Sequence, residues 1–302
     1  MAIRGNKTVV LQDGRLLGYD ECGASDGVPV ILFPDVLSSR LGLAGAEQDE
    51  VAERLGVRLI ALDRPGIGAS TLRAGRSILD WPVDVVGFAE QLGLGRFNLI
   101  GIGSATPYVA ACAIRIPHRL WAAGIVSGCP HPADDPSDLE PAVLRQFGGL
   151  TRRLGFLLRR SVRRLAERYA TNPGAAVEAT VAAQSAVDRS WLAEPARRQT
   201  LIEMGREAFR LGVEGPLTDL RLLLRPWGFS IAEVPMVINL WVGELDLDTP
   251  AEATRALAAE FRRSETRSYP TEGHFTLYPN RLEDILETLL ATARREEGRP
   301  VS

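Results

Sequence analysis

The chain has 302 residues, is 45% hydrophobic and 24% charged, and carries a net charge of −3 with a pI near 5.8. That balance suits a globular protein and gives no electrostatic reason to expect a nucleic-acid partner; with no apolar run of about 18 residues, no membrane span is expected either. The opening MAIRGNKTVVLQDGR has no basic-then-apolar leader pattern, and Cys22, Cys112 and Cys129 fit no ligand spacing, so a cytoplasmic protein with reduced thiols is expected.

In chain order, the segments Thr8–Leu11 and Leu16–Asp20 flank Asp13-Gly14 and predict a hairpin. VPVILFP (28–34) reads as a buried strand, 41–54 as a helix and VRLIALD (57–63) as a second buried strand ended by RPGIG. Residues 78–93 form an amphipathic helical pattern, 96–103 a third buried strand, TPYVAACAIRI a helix and 121–128 a fourth strand. Strand alternating with helix predicts a mostly parallel sheet with right-handed crossovers. The rhythm breaks over 131–229, where Arg- and Leu-rich helical segments predict a lid inserted between two parts of one α/β core, 1–130 and 230–302. It returns with a strand at 236–243, a helix near 251–263, a short strand at RSYP and a last helix near 280–296.

Ligands in open parallel sheets bind beyond the carboxyl ends of strands. Three loops there carry the chemistry: Gly101-Ile102-Gly103-Ser104-Ala105, Gly243-Glu244-Leu245-Asp246 and Glu272-Gly273-His274-Phe275. Their order is elbow, acid, histidine. With DGRLLGYDECG, ALDRPGIGAS, LIGIGSATPYVAACA, LWVGELDLDTP and TEGHFTL, the chain resembles the α/β-hydrolase superfamily over nearly its full length. It is most similar to small esterase-like members with a helical cap.

The elbow departs from that family's G-x-S-x-G pattern. Placing Gly103 in the nucleophile slot puts the small residues Gly101 and Ala105 two positions either side; placing Ser104 there puts β-branched Ile102 and Thr106 at those positions. The tight turn favours the first register, which leaves no nucleophile, with Ser104 as a helix N-cap. The loop after the first buried strand reads Phe33-Pro34-Asp35-Val36 where similar members carry His-Gly. By register the oxyanion donors are the backbone N–H groups of Val36 and Ser104, and Asp35 puts a carboxylate beside them. Asp35 is then an ionised carboxylate that spoils oxyanion stabilisation, a proton donor with a raised pKa, or a residue that turns outward or caps a local turn. Asp246 is expected to orient His274 as a general base, with Asp248 as the alternative acid. Pro34, His131 and Trp227 are expected to line the substrate site.

The resemblance implies an enzyme acting without an acyl intermediate on a bulky, largely apolar carbonyl compound, by C–C bond formation, cyclisation or a lyase-type step, as in natural-product pathways. Hydrolysis through Ser104 or an activated water, and a ligand-binding protein without catalysis, are the alternatives. No cofactor or metal is expected, the partner is a small molecule, and a homodimer is left open.

Overall fold

The computed structural model describes residues 7–42, 45–131 and 155–297. The Asp-Gly signal produces its hairpin: β1 (Lys7–Val10) and β2 (Leu16–Gly23) pair antiparallel, with Gly14 at φ 82°. Next come β3 (Val28–Phe33), α1 (Ala46–Arg54), β4 (Val57–Leu62), α2 (Trp81–Gln91), β5 (Phe97–Ile102), α3 (Thr106–Arg115) and β6 (Leu120–Val126). The described residues between β6 and the next strand hold five helices: α4 (Gly155–Thr171), α5 (Pro173–Ala182), α6 (Ala186–Trp191), α7 (Pro195–Ala208) and α8 (Glu214–Leu223). The expected lid segment 132–154 lies outside the described residues. The chain closes with β7 (Ile238–Gly243), α9 (Ala251–Glu260), β8 (Ser264–Tyr269) and α10 (His274–Glu297).

The strands form one sheet in the order β1-β2-β4-β3-β5-β6-β7-β8. β2 runs antiparallel to β1 and β4, and every other pairing is parallel. Strand order reverses at β3, which lies between β4 and β5, and such a switch point opens a crevice at the carboxyl ends. The register Phe33↔Gly101 brings the loops after β3 and β5 side by side at that crevice.

Strand alternation builds two cores. Ile31 and Phe33 face the cluster with Trp81, Phe88 and Tyr108 of α2 and α3, whereas Val30 and Leu32 face Leu277, Ile285 and Leu289 of α10. Both faces of β3 are fully buried, which is why its sequence runs apolar without a break.

Two buried ion networks tie the α4–α8 segment to the core. Arg40 bonds Asp63 at 2.5 Å and Glu207 of α7 at 2.7 Å. Asp219 of α8 accepts Arg64 Nε at 2.8 Å, bonds Arg76, and accepts the Tyr108 hydroxyl at 3.1 Å. Burial alone would raise the Asp219 pKa, but Arg64 and Arg76 hold it below the usual carboxylate range. The RPGIG turn also meets α8 backbone to backbone. A Cβ on Gly215 would lie 2.0 Å from the Gly66 carbonyl oxygen, so only glycine permits that approach.

Several boundaries differ from the sequence reading: the helix read from 41 starts at Ala46, and two differences lie near the end of the chain. The last strand spans six residues rather than four. The last helix starts at His274 rather than near 280, with Pro279 inside it. Proline at 279 suggests a start just beyond it. The earlier turn is stabilised instead by a carboxylate from α6, described below.

Candidate active site

The turn after β5 is tight and left-handed. Gly103 has φ 54°, and Gly103–Ala105 form a single tight turn leading into α3. A Cβ on Gly101 would meet Val109 at 2.5 Å and the Ala105 Cβ at 3.2 Å. The positions two residues either side of Gly103 are therefore held small by packing, as the first register requires.

A Cβ built on Gly103 would stand 2.4 Å from Asp35 Oδ2 and 2.7 Å from Asp35 Cγ. The Asp35 carboxylate thus occupies the volume into which a side chain at 103 would point. Its Oδ1 accepts the backbone N–H of Ser104 at 2.9 Å, that of Val36 at 2.6 Å, and the Ser104 hydroxyl. Asp35 neither turns outward nor leaves the Val36 and Ser104 donors open; it binds both. Ser104 is 2% exposed, and its Oγ also accepts the Val36 N–H at 2.8 Å. That hydroxyl serves the Asp35 loop and does not cap α3, contrary to the expectation for it.

His274 stands opposite. Nδ1 faces Asp246 Oδ2 at 3.0 Å, and Nε2 lies 3.4 Å from Asp35 Oδ2 and 3.7 Å from Asp248 Oδ2. Asp246 is the acid on the orienting side; its Oδ1 accepts the N–H groups of Asp248 and Thr249 at 2.8 and 2.7 Å, which fixes the carboxylate. Asp248 faces the other nitrogen and accepts Gln184 Nε2 at 3.4 Å.

Burial alone would lower the His274 pKa, but Asp246, Asp248 and Asp35 outweigh it and hold the imidazole well above its ordinary 6.5. Burial alone would raise the Asp35 pKa, but His274 and the Ser104 donors hold it below 3.8. Burial, helped by Asp246 and Asp35, raises the Asp248 pKa against the pull of His274. At neutral pH the resting couple is an imidazolium facing the Asp35 carboxylate. Those directions put the proton on histidine and favour the ionised reading of Asp35 over the reading of it as a proton donor.

A cavity of about 660 Å³ opens over this couple, with Pro34, Asp35, Val36, Asp248 and His274 among the residues at its reactive end. Helices α4–α7 contribute apolar wall residues including Leu165, Tyr169, Trp191 and Met204. His131 and Trp227 do not line it. They pack on each other with ring centroids 4.7 Å apart, and Trp227 belongs to the core around Phe229 and Ile231, where its large apolar ring is buried. Among the described residues, no group of three or more His, Cys, Asp or Glu side chains is arranged to hold a metal ion.

Three functional contacts were not visible in the sequence. Arg64 donates to the carbonyl oxygens of Pro34 and, at 3.1 Å, Asp35, strapping down the loop that presents the carboxylate. Gln184, in the turn between α5 and α6, donates to Asp248, and Asp188, in the first turn of α6, accepts the backbone N–H of His274. Ser185-x-x-Asp188 does show as a local cap, and Ser185 Oγ accepts the Asp188 N–H at 3.3 Å, but nothing nearby in sequence ties it to residue 274.

No protein-family model matches the chain, and no curated protein sequence matches it. Solved structures do. It is similar to a thermophilic esterase from Thermogutta terrifontis with malate bound, at 21% identity and TM-score 0.70, covering 96% of this chain and 99% of that one. It is also similar to the enol-lactonase from Burkholderia xenovorans LB400, at 15% identity and TM-score 0.68, covering 95% and 99%. An esterase from Exiguobacterium antarcticum aligns at 15% identity and TM-score 0.69, covering 96% and 100%. At these identities the likeness is one of fold, and the fold is that of the α/β-hydrolases.

Proposed function

We propose that this α/β-hydrolase-fold chain is an enzyme that moves protons on a bulky, largely apolar carbonyl compound, with Asp35 as the base and His274 as the acid. The observation that carries this reading is the Asp35 carboxylate standing in the side-chain space of residue 103, 3.4 Å from His274 Nε2, at the reactive end of the cavity. A carbonyl oxygen and a hydrogen on the adjacent carbon are three bonds apart, a span suited to two heteroatoms at that separation. Asp35 Oδ2 removes the hydrogen, and the imidazolium donates to the oxygen as the enol forms. Asp246 holds the ring by Nδ1 and leaves Nε2 to the substrate. The N–H groups of Ser104 and Val36 keep the other carboxylate oxygen fixed, so the base meets the substrate in one orientation. The enol so formed is the nucleophile for a cyclisation, a C–C bond formation or, in reverse, a cleavage.

Hydrolysis fits less well. The donors that would bind a tetrahedral oxyanion are committed to Asp35, and the buried Ser104 hydroxyl is engaged by the same carboxylate.

The test is hydrogen exchange in D₂O. Bulky apolar ketones and β-keto esters that raise the melting temperature are incubated with the protein and followed by NMR. Deuterium should enter the carbon next to the carbonyl, and Asp35→Asn should abolish it. Binding ketones that exchange no faster than in buffer, together with rapid turnover of p-nitrophenyl esters, would replace this reading with hydrolysis.

A further inference from the structure

The turn between α5 and α6 reaches the histidine from the lid side. Asp188 is fully buried. Its Oδ2 accepts the backbone N–H of His274 at 3.0 Å, and its Oδ1 accepts those of Phe275 and Thr276 at 2.9 and 3.1 Å. These are three of the N–H groups that a helix leaves without intrahelical partners at its start, and a carboxylate there also meets the positive end of the helix dipole. The rotamer is fixed in turn, since Ser185 Oγ donates to Asp188 Oδ2 at 2.6 Å. Gly273 admits this approach, because a Cβ there would sit 2.1 Å from Asp188 Oδ2. At the near end of the same turn, Gln184 donates to Asp248, the second carboxylate facing His274 Nε2.

We propose that Asp188, with Ser185 and Gln184, is the positioning device for His274: one turn of the lid sets where the imidazole stands between Asp246 and Asp35. The reason is geometric. Apart from an edge-on contact with Phe275, the next residue of the same helix, the His274 ring is held by the carboxylates that it faces, and its backbone is the first residue of α10. Pro279 removes one later intrahelical bond from that opening stretch, so the start of the helix depends more heavily on its external cap. Moving the lid turn therefore moves the ring, and the carboxylate distances of 3.0 and 3.4 Å change with it.

The inference concerns the placement of His274 and stands whether or not the proton-transfer reading does; its test needs no substrate. The chain has three histidines, so the imidazole Hε1 of His274 is assigned in NMR spectra by comparison with His118→Gln and His131→Gln variants. The wild-type titration is compared with those of Ser185→Ala and Asp188→Asn, each accompanied by its melting temperature. Ser185→Ala retains every charge while removing both the hold on the Asp188 carboxylate and the cap of α6, so a downward shift of the His274 pKa there reads position rather than charge. Asp188→Asn should shift it further in the same direction. Variants that melt earlier while His274 titrates as in wild type would make Asp188 an ordinary helix cap and overturn the proposal. A shift in Asp188→Asn with none in Ser185→Ala would overturn it too, since charge alone would then account for the effect. With a substrate in hand, a misplaced imidazole lowers kcat on the order of 10²-fold and moves KM little.

Discussion

The two arms of the site are built on different terms. The arm from β7 and α10 keeps an acid and a histidine in a direct hydrogen bond, with Asp246 Oδ2 3.0 Å from His274 Nδ1. The arm from β3 and β5 has a left-handed turn at Gly103, and on the proposed mechanism its reactive oxygen comes from Asp35, one loop over. The difference teaches that an elbow is two separable things, a turn that aims and a side chain that reacts. A glycine can preserve the first while a neighbouring strand supplies the second.

Mutations at the two arms test that division. Asp35→Asn removes the base and the charge that His274 faces, so turnover should fall by roughly 10²–10⁴-fold, toward the upper end. Asp246→Asn leaves the base in place and spoils only the tautomer and orientation of the ring, and should cost less, on the order of 10²-fold. Equal losses in the deuterium-exchange assay, or a larger one at Asp246, would put the chemistry back on the histidine arm.

The strap behind Asp35 gives the next largest effect. Asp219→Ala leaves Arg64 and Arg76 buried without their carboxylate, and such a loss costs about 3–5 kcal/mol. Urea denaturation should show it as a lower midpoint. A midpoint within error of wild type would mean that the α4–α8 segment is not anchored through α8.

The pH dependence is a milder probe of the same couple. On the proposed mechanism, activity requires protonated His274 and ionised Asp35. Since His274 is held well above 6.5, activity should persist through neutral pH and fall as pH rises through the folded-state value. Since Asp35 is held below 3.8, the acid limb should lie below the ordinary carboxylate range. The linkage to stability has matching signs. The histidine's contribution is fully present below about 6.5 and is lost as pH rises through its raised value; that of Asp35 is present above about 3.9 and is lost as pH falls through its lowered one. A rate that rises through pH 6.5 and then stays level would mean that neutral histidine is the working form.

The smallest expected effect is a gain. Gly103→Ser should bring little esterase activity and little labelling by fluorophosphonates, because Asp35 fills both the side-chain space and the oxyanion donors. Asp35→Gly combined with Gly103→Ser should label more strongly than either change alone. Strong labelling of Gly103→Ser by itself would show that the carboxylate moves aside freely.

Much of this was legible in the sequence because it is local. The period of the buried strands, the Asp-Gly turn, and small residues either side of Gly103 are all set by neighbours within a few positions. Asp246 and His274 were found because they follow strands whose carboxyl ends must converge. The charge state of Asp35 was not legible: the choice between donor and acceptor depends on its distance to His274, a pair separated by most of the chain. The start of α10 was missed for the same reason, since the partner that caps His274, Asp188, lies 86 residues upstream. His131 and Trp227 were placed in the cavity on residue type alone, and type does not say which face of a lid an aromatic ring will cover.

The crowding at Gly103 bears on how such a site can change over generations. With Asp35 present, any side chain at 103 starts 2.4 Å from one carboxylate oxygen, while Ser104 and Val36 hold the other. With Asp35 gone and glycine still at 103, the pocket has neither reactive oxygen. The two positions are therefore coupled: a serine hydroxyl at 103 and a carboxylate at 35 compete for one space, so introducing the first calls for replacing the second or moving the β3 loop.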